Sequence, residues 1–333
     1  MTEPVVNPFV EILRSRQYTK GYIPPEEDKL FLIQDQLIGS LQSFVVFSGL
    51  PKSGKSTYLT ALVSSLITGH ECFSMKLQTI PERPVVAYFD TESSIVDFYK
   101  HIDRIKKFAK VDELPDYIKP YCTRQDTPKQ QKKLIETHFS LYPDTSILFI
   151  DGLLDLCMNY NDETESRELI NWLKRMSVQH NILIITVLHT GKDGMQRLGH
   201  LGANTDRWSQ STLTVKKEED KFILEAKMLR SSAGFTPIEL VWDKDTNGYI
   251  MYNQGEIQSK NHYKYYSLYQ HNDRLNLIYQ HQNQYGYDEF IGKLKDIEKR
   301  GTNYCKEYFA LLKQKELIKQ NFENKWIDNR VLF

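Results

Sequence analysis

The chain has 333 residues, enough for two domains of about 100–200 residues each. Its 43 Lys and Arg balance 43 Asp and Glu, so net charge is zero, and any contact with nucleic acid must come from a local patch. Four scattered cysteines (Cys72, Cys122, Cys157, Cys305) form no CxxC pair, which argues against a zinc site and a disulfide framework; no apolar run approaches the roughly 20 residues of a bilayer span, Met1–Val6 lacks the basic-then-apolar pattern of a signal peptide, and a cytoplasmic protein is expected.

Val5 to Gln17 predicts a short helix through Phe9, Ile12 and Leu13, ended at Tyr22-Ile23-Pro24-Pro25. Leu30–Ile33 and Leu37-Ile38 lead into a buried strand, Phe44–Phe47. Gly49-Leu50-Pro51-Lys52-Ser53-Gly54-Lys55-Ser56 then matches G-x-x-x-x-G-K-[ST], with Thr57 next and a helical pattern after it (Leu59, Leu62, Val63, Leu66, Ile67). Strand, glycine turn and helix are the setting a phosphate-binding loop requires. Glycines let the backbone wrap an anion, and amides at the helix start point at phosphates. Gly49, Ser53, Gly54, Lys55, Ser56 and Thr57 are therefore the candidate ATP-binding residues. Lys55 would reach the β- and γ-phosphates, and the Ser56 hydroxyl would sit on Mg²⁺.

Further strands are expected at Pro84–Asp90, Ser146–Asp151 and Ile182–Leu188, with helices at Ile95–Ala109, Pro128–Leu141 and Glu163–His180. Asp112–Pro120 reads as loop. Wholly apolar strands alternating with helices mean an α/β fold with a mostly parallel sheet covered on both faces. Past Leu188 the pattern changes. Thr190–Asn204 reads as a glycine-rich loop, Ser211–Val215 and Phe222–Ala226 as an antiparallel hairpin, and Ile238–Trp242 and Tyr249–Tyr252 as two more strands around a turn at 245–248. Residues 253–262 are polar and read as a linker. Residues 263–333 read as a small separate domain: a helix at Asp288–Leu294, a turn at Lys299–Thr302, a helix at Asn303–Lys315, then short strands at Leu317–Lys319 and Trp326–Val331. This is winged-helix order, in a locally basic segment, and it suits DNA binding or protein docking.

Three polar groups end predicted strands, where open parallel sheets bind ligands. Glu92 in Asp90-Thr91-Glu92 is placed to activate a water. Asp151 closes an apolar strand and suits a Mg²⁺-holding carboxylate. His189 is placed to sense the γ-phosphate.

These motifs resemble the RecA-type ATPase core, most closely the branch of plasmid RepA-type and DnaB-type ring helicases, over roughly Leu30 to Tyr252. The resemblance implies Glu92 as catalytic base, Asp151 as the Walker B acid and His189 as sensor, in a homo-oligomeric ring, hexameric by likeness, with ATP between subunits. It also implies a basic residue acting from the next subunit. The family's Lys-x-Arg pattern is here Lys227-Met228-Leu229-Arg230, one residue longer, so Lys227, Arg230 or both are candidates. The channel-facing loops of such rings correspond to Leu153–Glu165, which is acidic, and Thr190–Gln210, where Lys192, Arg197 and Arg207 are candidates for single-stranded DNA contact. The expected organisation is a possible docking arm (1–29), an ATPase core (30–252), a linker (253–262) and a winged-helix-like domain (263–333). The expected activity is that of an ATP-dependent DNA motor, with a non-translocating regulator and a filament-forming recombination ATPase as the alternatives.

Overall fold

The computed structural model describes residues 7, 9–23, 26–191, 199–243, 248–252, 263, 268–298 and 300–330. The elements run α1 (Phe9–Ser15), β1 (Lys29–Ile33), β2 (Gln36–Ser40), β3 (Ser43–Gly49), α2 (Lys55–Thr68), β4 (Met75–Leu77), β5 (Val85–Asp90), α3 (Ile95–Ala109), β6 (Ile118–Cys122), α4 (Pro128–Leu141), β7 (Thr145–Asp151), α5 (Glu163–Gln179), β8 (Leu183–His189), α6 (Gly199–Trp208), β9 (Ser211–Glu218), β10 (Lys221–Leu229), β11 (Ile238–Asp243) and β12 (Gly248–Met251). A C-terminal group follows: α7 (Leu268–Tyr279), β13 (Gln284–Tyr285), α8 (Tyr287–Glu298), α9 (Thr302–Gln314), β14 (Ile318–Gln320) and β15 (Trp326–Asp328).

The main sheet has nine strands in the order β12-β11-β10-β9-β3-β8-β7-β5-β6. From β9 to β6 the strands are parallel, and β10, β11 and β12 add antiparallel pairs at one edge. Strand alternation splits the core between the two faces. Val45 and Phe47 of β3, Val86 and Tyr88 of β5, and Ile147 and Phe149 of β7 pack with Leu59 and Leu62 of α2 and Ile105 of α3. Their neighbours Phe44, Val46, Ala87, Phe89, Leu148 and Ile150 pack on the opposite face with Ile135 of α4, Leu169 and Leu173 of α5 and Leu201 of α6. The face that carries α2 and α3 is thus the face toward which Asp90 and Asp151, two residues past Tyr88 and Phe149, are directed by the same alternation.

Helix starts follow local chemistry. Ser94 accepts the Asp97 amide ahead of α3, Thr127 and Gln130 form a capping box at α4 with Pro128 in its first turn, and Asp162 caps α5. Two readings are corrected and a third is completed. Within the expected loop at 112–120, residues 118–120 instead open the edge strand β6, paired with β5. Residues 199–208 are helix α6 rather than glycine-rich loop, with Leu201, Gly202, Thr205 and Asp206 on its buried side. The N-terminal apolar segments belong to a second sheet, β2-β1-β4, in which Phe31 pairs with Leu77. The expected linker at 253–262 and the residues 245–247 of the predicted turn lie outside the described residues.

The C-terminal elements have a core of their own around Tyr263, Phe290, Leu294, Tyr308, Phe309, Leu312 and Trp326. The helix–turn–helix–hairpin order is present, with β15 central in a sheet β13-β15-β14. Trp326 meets Phe309 edge-on at 4.7 Å, and Lys313 lies over its ring at 5.6 Å. Trp326→Ala is therefore expected to lower the stability of this unit by about 3–5 kcal/mol. Calorimetry of the full chain should show a shifted transition while ATP binding is kept; a coincident loss of both would mean that the two cores fold as one. Among the described residues no helix is long and apolar enough to cross a membrane.

Candidate functional site

The loop after β3 is shaped by glycines that nothing else can replace. A Cβ at Gly49 would stand 2.2 Å from the Val215 carbonyl oxygen. Gly54 has φ +97° and faces the Phe222 ring, 2.6 Å from where a Cβ would be. The β9–β10 hairpin therefore closes tightly on the loop. Gly54 caps α2 without a side-chain hydrogen bond, which leaves the first amides of the helix for an anion. The Ser53 hydroxyl is buried and has no partner, and Ser56 at the second helical position is half-buried. Lys55 donates to the carbonyls of Gly49 (2.9 Å) and Leu50 (2.7 Å). Burial lowers its pKa to about 8, against the pull of the Glu92 and Asp151 carboxylates. The Gly49 carbonyl also takes the Thr190 amide at 3.1 Å, tying the loop to the end of β8.

The acidic side of the site comes from the ends of β5 and β7, whose residues Asp90 and Asp151 are register neighbours. Asp90 is 1% exposed; its Oδ1 accepts the amides of Glu92 (3.1 Å) and Ser93 (2.8 Å), and its Oδ2 has no partner among the described residues. Tyr88 donates its hydroxyl to Asp151 Oδ2 at 2.8 Å. Burial, then the nearby Asp90 charge, raises the Asp151 pKa to about 7. Glu92 Oε2 lies 2.9 Å from His189 Nε2, while His189 Nδ1 is buried without a partner. Thr91 Oγ1 is within hydrogen-bonding distance of the Asp151 and Gly152 carbonyls and of Asp155 Oδ2.

Gly152, at φ +117°, completes this side: a Cβ there would fall 2.2 Å from Thr91 Oγ1 and 2.6 Å from Glu92 Cγ. Gly152→Ala is expected to cost about 1–3 kcal/mol of stability and to displace Glu92. Turnover should fall with ATP affinity unchanged, which nucleotide titration alongside steady-state kinetics will show.

The structure thus brings Gly49, Ser53, Gly54, Lys55, Ser56, Thr57, Glu92, Asp151 and His189 to one edge of the sheet. It keeps Lys227 and Arg230 away from it. Phe222 packs on Gly54, whereas Leu229 pairs with Ser211 at the other end of β10, roughly 20 Å along a strand rising about 3.3 Å per residue. Arg230 donates to the Arg207 carbonyl there. These cations lie far from the chain's own phosphate loop. Arg207 sits exposed in the last turn of α6, and Lys192 and Arg197 lie outside the described residues. Sequence reading found no place in the site for Asp155, Thr190, His101 and Phe222 and named Asp90 only as part of Asp90-Thr91-Glu92, with the role falling on Glu92. Asp90 had a signal, its place as the last residue of an apolar strand.

The groups present fit ATP with Mg²⁺. Amides at the start of α2 and the Ser53 hydroxyl line a cradle too narrow for side chains, a buried ammonium has, among the described residues, loop carbonyls as its hydrogen-bond partners, and two strand-end carboxylates stand beside it.

A glycine loop between β3 and α2, the acid Asp151 at the end of β7 and the parallel order β9-β3-β8-β7-β5 make this an α/β core with a phosphate-binding loop. Residues 32–195, just under half of the chain, match a family model described as an AAA domain. Among solved structures, a KaiC-like protein from the hyperthermophilic archaeon Pyrococcus horikoshii is similar at 11% identity and a TM-score of 0.46, over 69% of this chain and 100% of that one. No curated protein matches.

Proposed function

We propose that this ATPase is a DNA motor of the RepA/DnaB helicase type, working as a homo-oligomeric ring, hexameric by that likeness, on single-stranded DNA of a replicating or mobile element. The observation that carries the reading is the attached helix–turn–helix–hairpin unit, whose α9 presents Asn303, Lys306, Ala310 and Lys313 to solvent. The domain division that goes with it is an arm at 1–29, the core at 30–252, a linker at 253–262 and the winged unit at 263–333. The placement of Lys227 and Arg230 favours assembly, because a transition state with charge on the γ-phosphoryl gains from a cation that only a neighbour can bring.

Within one subunit, Lys55 and the first amides of α2 hold the β- and γ-phosphates of ATP. Glu92 orients a water and takes its proton as the water oxygen bonds to the γ-phosphorus and the bond to the β-phosphate oxygen breaks, giving ADP and phosphate. His189 holds the Glu92 carboxylate in place and reports on it to the segment after β8. Ser56 and Asp151 would hold Mg²⁺, which supplies neutralisation of charge on the phosphate oxygens. Arg207, with Lys192 and Arg197, would meet the DNA backbone.

Steady-state ATP hydrolysis with and without single-stranded DNA tests the motor, with sedimentation in ATP for the ring. Strong stimulation supports it. Hydrolysis indifferent to DNA moves the assignment to a nucleotide-gated regulator whose winged unit binds DNA or a partner, and filaments in place of rings move it to a recombination ATPase.

A further inference from the structure

One cluster beside the phosphate loop holds two groups, Asp90 and His101, to which that scheme gives no part, together with Asp151, which it does use. Asp90, His101 and Asp151 each offer a ligand atom, and the three atoms lie within 4.8 Å of one another. They come from β5, α3 and β7, so the arrangement is made by tertiary packing and not by a local turn. His101 is 4% exposed and stands edge-on to the Tyr88 ring at 5.5 Å. Its Nε2 is 3.2 Å from Thr60 Oγ1, and that hydroxyl gives its own proton to the Ser56 carbonyl at 2.8 Å. The ring therefore donates at Nε2, and Nδ1 keeps the lone pair. A metal-binding histidine is held in this way by a hydrogen bond from its other nitrogen.

The second observation is Oδ2 of Asp90, a carboxylate oxygen without a hydrogen-bond partner among the described residues, in a residue that is 1% exposed. A buried carboxylate facing another carboxylate is costly unless a cation compensates it. The nearby ammonium of Lys55 is hydrogen-bonded to two loop carbonyls instead.

We propose that Asp90, His101 and Asp151 form a divalent-cation site that binds without nucleotide and favours ions accepting a nitrogen ligand, Mn²⁺ before Mg²⁺. Two carboxylates and an imidazole suit the first-row transition ions, whereas Mg²⁺ prefers oxygen and water. Through Asp151 the site adjoins the position assigned to Mg²⁺ in the ATPase scheme, but its occupancy does not depend on that scheme.

The test uses the full chain free of nucleotide, titrated with Mn²⁺ and followed by electron paramagnetic resonance. One bound ion per chain is expected, with a nitrogen coupling in the echo-modulation spectrum. His101→Ala should remove the coupling and weaken binding at least tenfold. Asp90→Asn, which keeps the shape of the side chain, should weaken binding to a similar degree and guards against a folding defect in the first variant; circular dichroism checks both. Lys55→Ala should bind Mn²⁺ as well as the parent chain or better. No bound ion without nucleotide, a bound ion with no nitrogen coupling, or displacement by equimolar Mg²⁺ would each overturn the site. Loss of ATP hydrolysis with Mn²⁺ binding intact would sink the ATPase scheme and leave the site standing.

Discussion

Lys55→Ala is expected to lower ATP hydrolysis by about 10²–10³-fold, the usual cost of removing a preorganised group aimed at transition-state charge. The argument rests on where the ammonium is. It is 5% exposed, directed into the loop, and hydrogen-bonded to the carbonyls of Gly49 and Leu50. Phosphate oxygens arriving at the α2 amides would take it over. The same burial makes the lysine a burden on the nucleotide-free fold. Its native pKa is about 8, and its ordinary value is 10.5. Below pH 8 both states hold the proton, and the native state carries the full cost, on the order of 3 kcal/mol. Between about 8 and 10.5 the unfolded chain binds a proton that the native chain has lost, so stability rises with pH in that window. Lys55→Met should therefore be more stable than the parent chain at pH 7 without nucleotide, and the difference should shrink toward pH 10. Denaturant titrations at both pH values check this. A variant less stable than the parent at pH 7 would show that the two carbonyl bonds outweigh desolvation.

The unit β3–loop–α2 was legible because a continuous apolar run, two glycines and a lysine must be adjacent in the chain to work. The strands β5, β7 and β8 were legible for a related reason: strands buried on both faces are apolar for most of their length, and the one polar residue inside β8, Thr186, gives its hydroxyl to the Ile150 carbonyl. Glu92, Asp151 and His189 could be found for that reason alone, as the polar residues after such runs. What failed has a common cause in contacts between distant segments. β6 carries Lys119 and Pro120, and is tolerated as an edge strand beside β5 where a proline without an amide costs little. The β1–β4 pairing joins residues about 45 positions apart, so no local pattern announces it. In α6 the glycines at 199 and 202 read as loop, yet Gly202 lies on the buried side with Leu201 and Thr205. His101 sits in an ordinary amphipathic helix, and only the packing of α3 on β5 makes it a neighbour of Asp90. Phe222 looked like a strand residue and is also the surface against which Gly54 is fitted.

Glu92→Gln is expected to reduce turnover by about 10²–10⁴-fold, the range associated with a lost general base, while ATP still binds. The amide keeps the size of the side chain and removes its capacity to take a proton. Asp90 fixes the backbone of this residue through two amide bonds, and His189 holds its Oε2 at 2.9 Å, so the geometry of the substituted side chain should be retained. The expected signature is a fall in kcat with little change in nucleotide affinity, the reverse of a defect in the Gly49–Thr57 loop. His189→Ala removes only the restraint on Glu92, and its loss should be smaller, roughly tenfold, if the carboxylate is otherwise free to reach the water. The two variants are coupled: once Glu92 is glutamine, removing His189 should cost little more, because both act on the same proton transfer. Single-turnover hydrolysis with radiolabelled ATP measures all three. Wild-type turnover in Glu92→Gln would remove Glu92 as the base and pass the role to Asp155, the other partly exposed carboxylate, which reaches this segment through its bond to Thr91. An additive double variant would leave Glu92 in place but separate His189 from it, and give the histidine a part in the site that its contact with Glu92 does not explain.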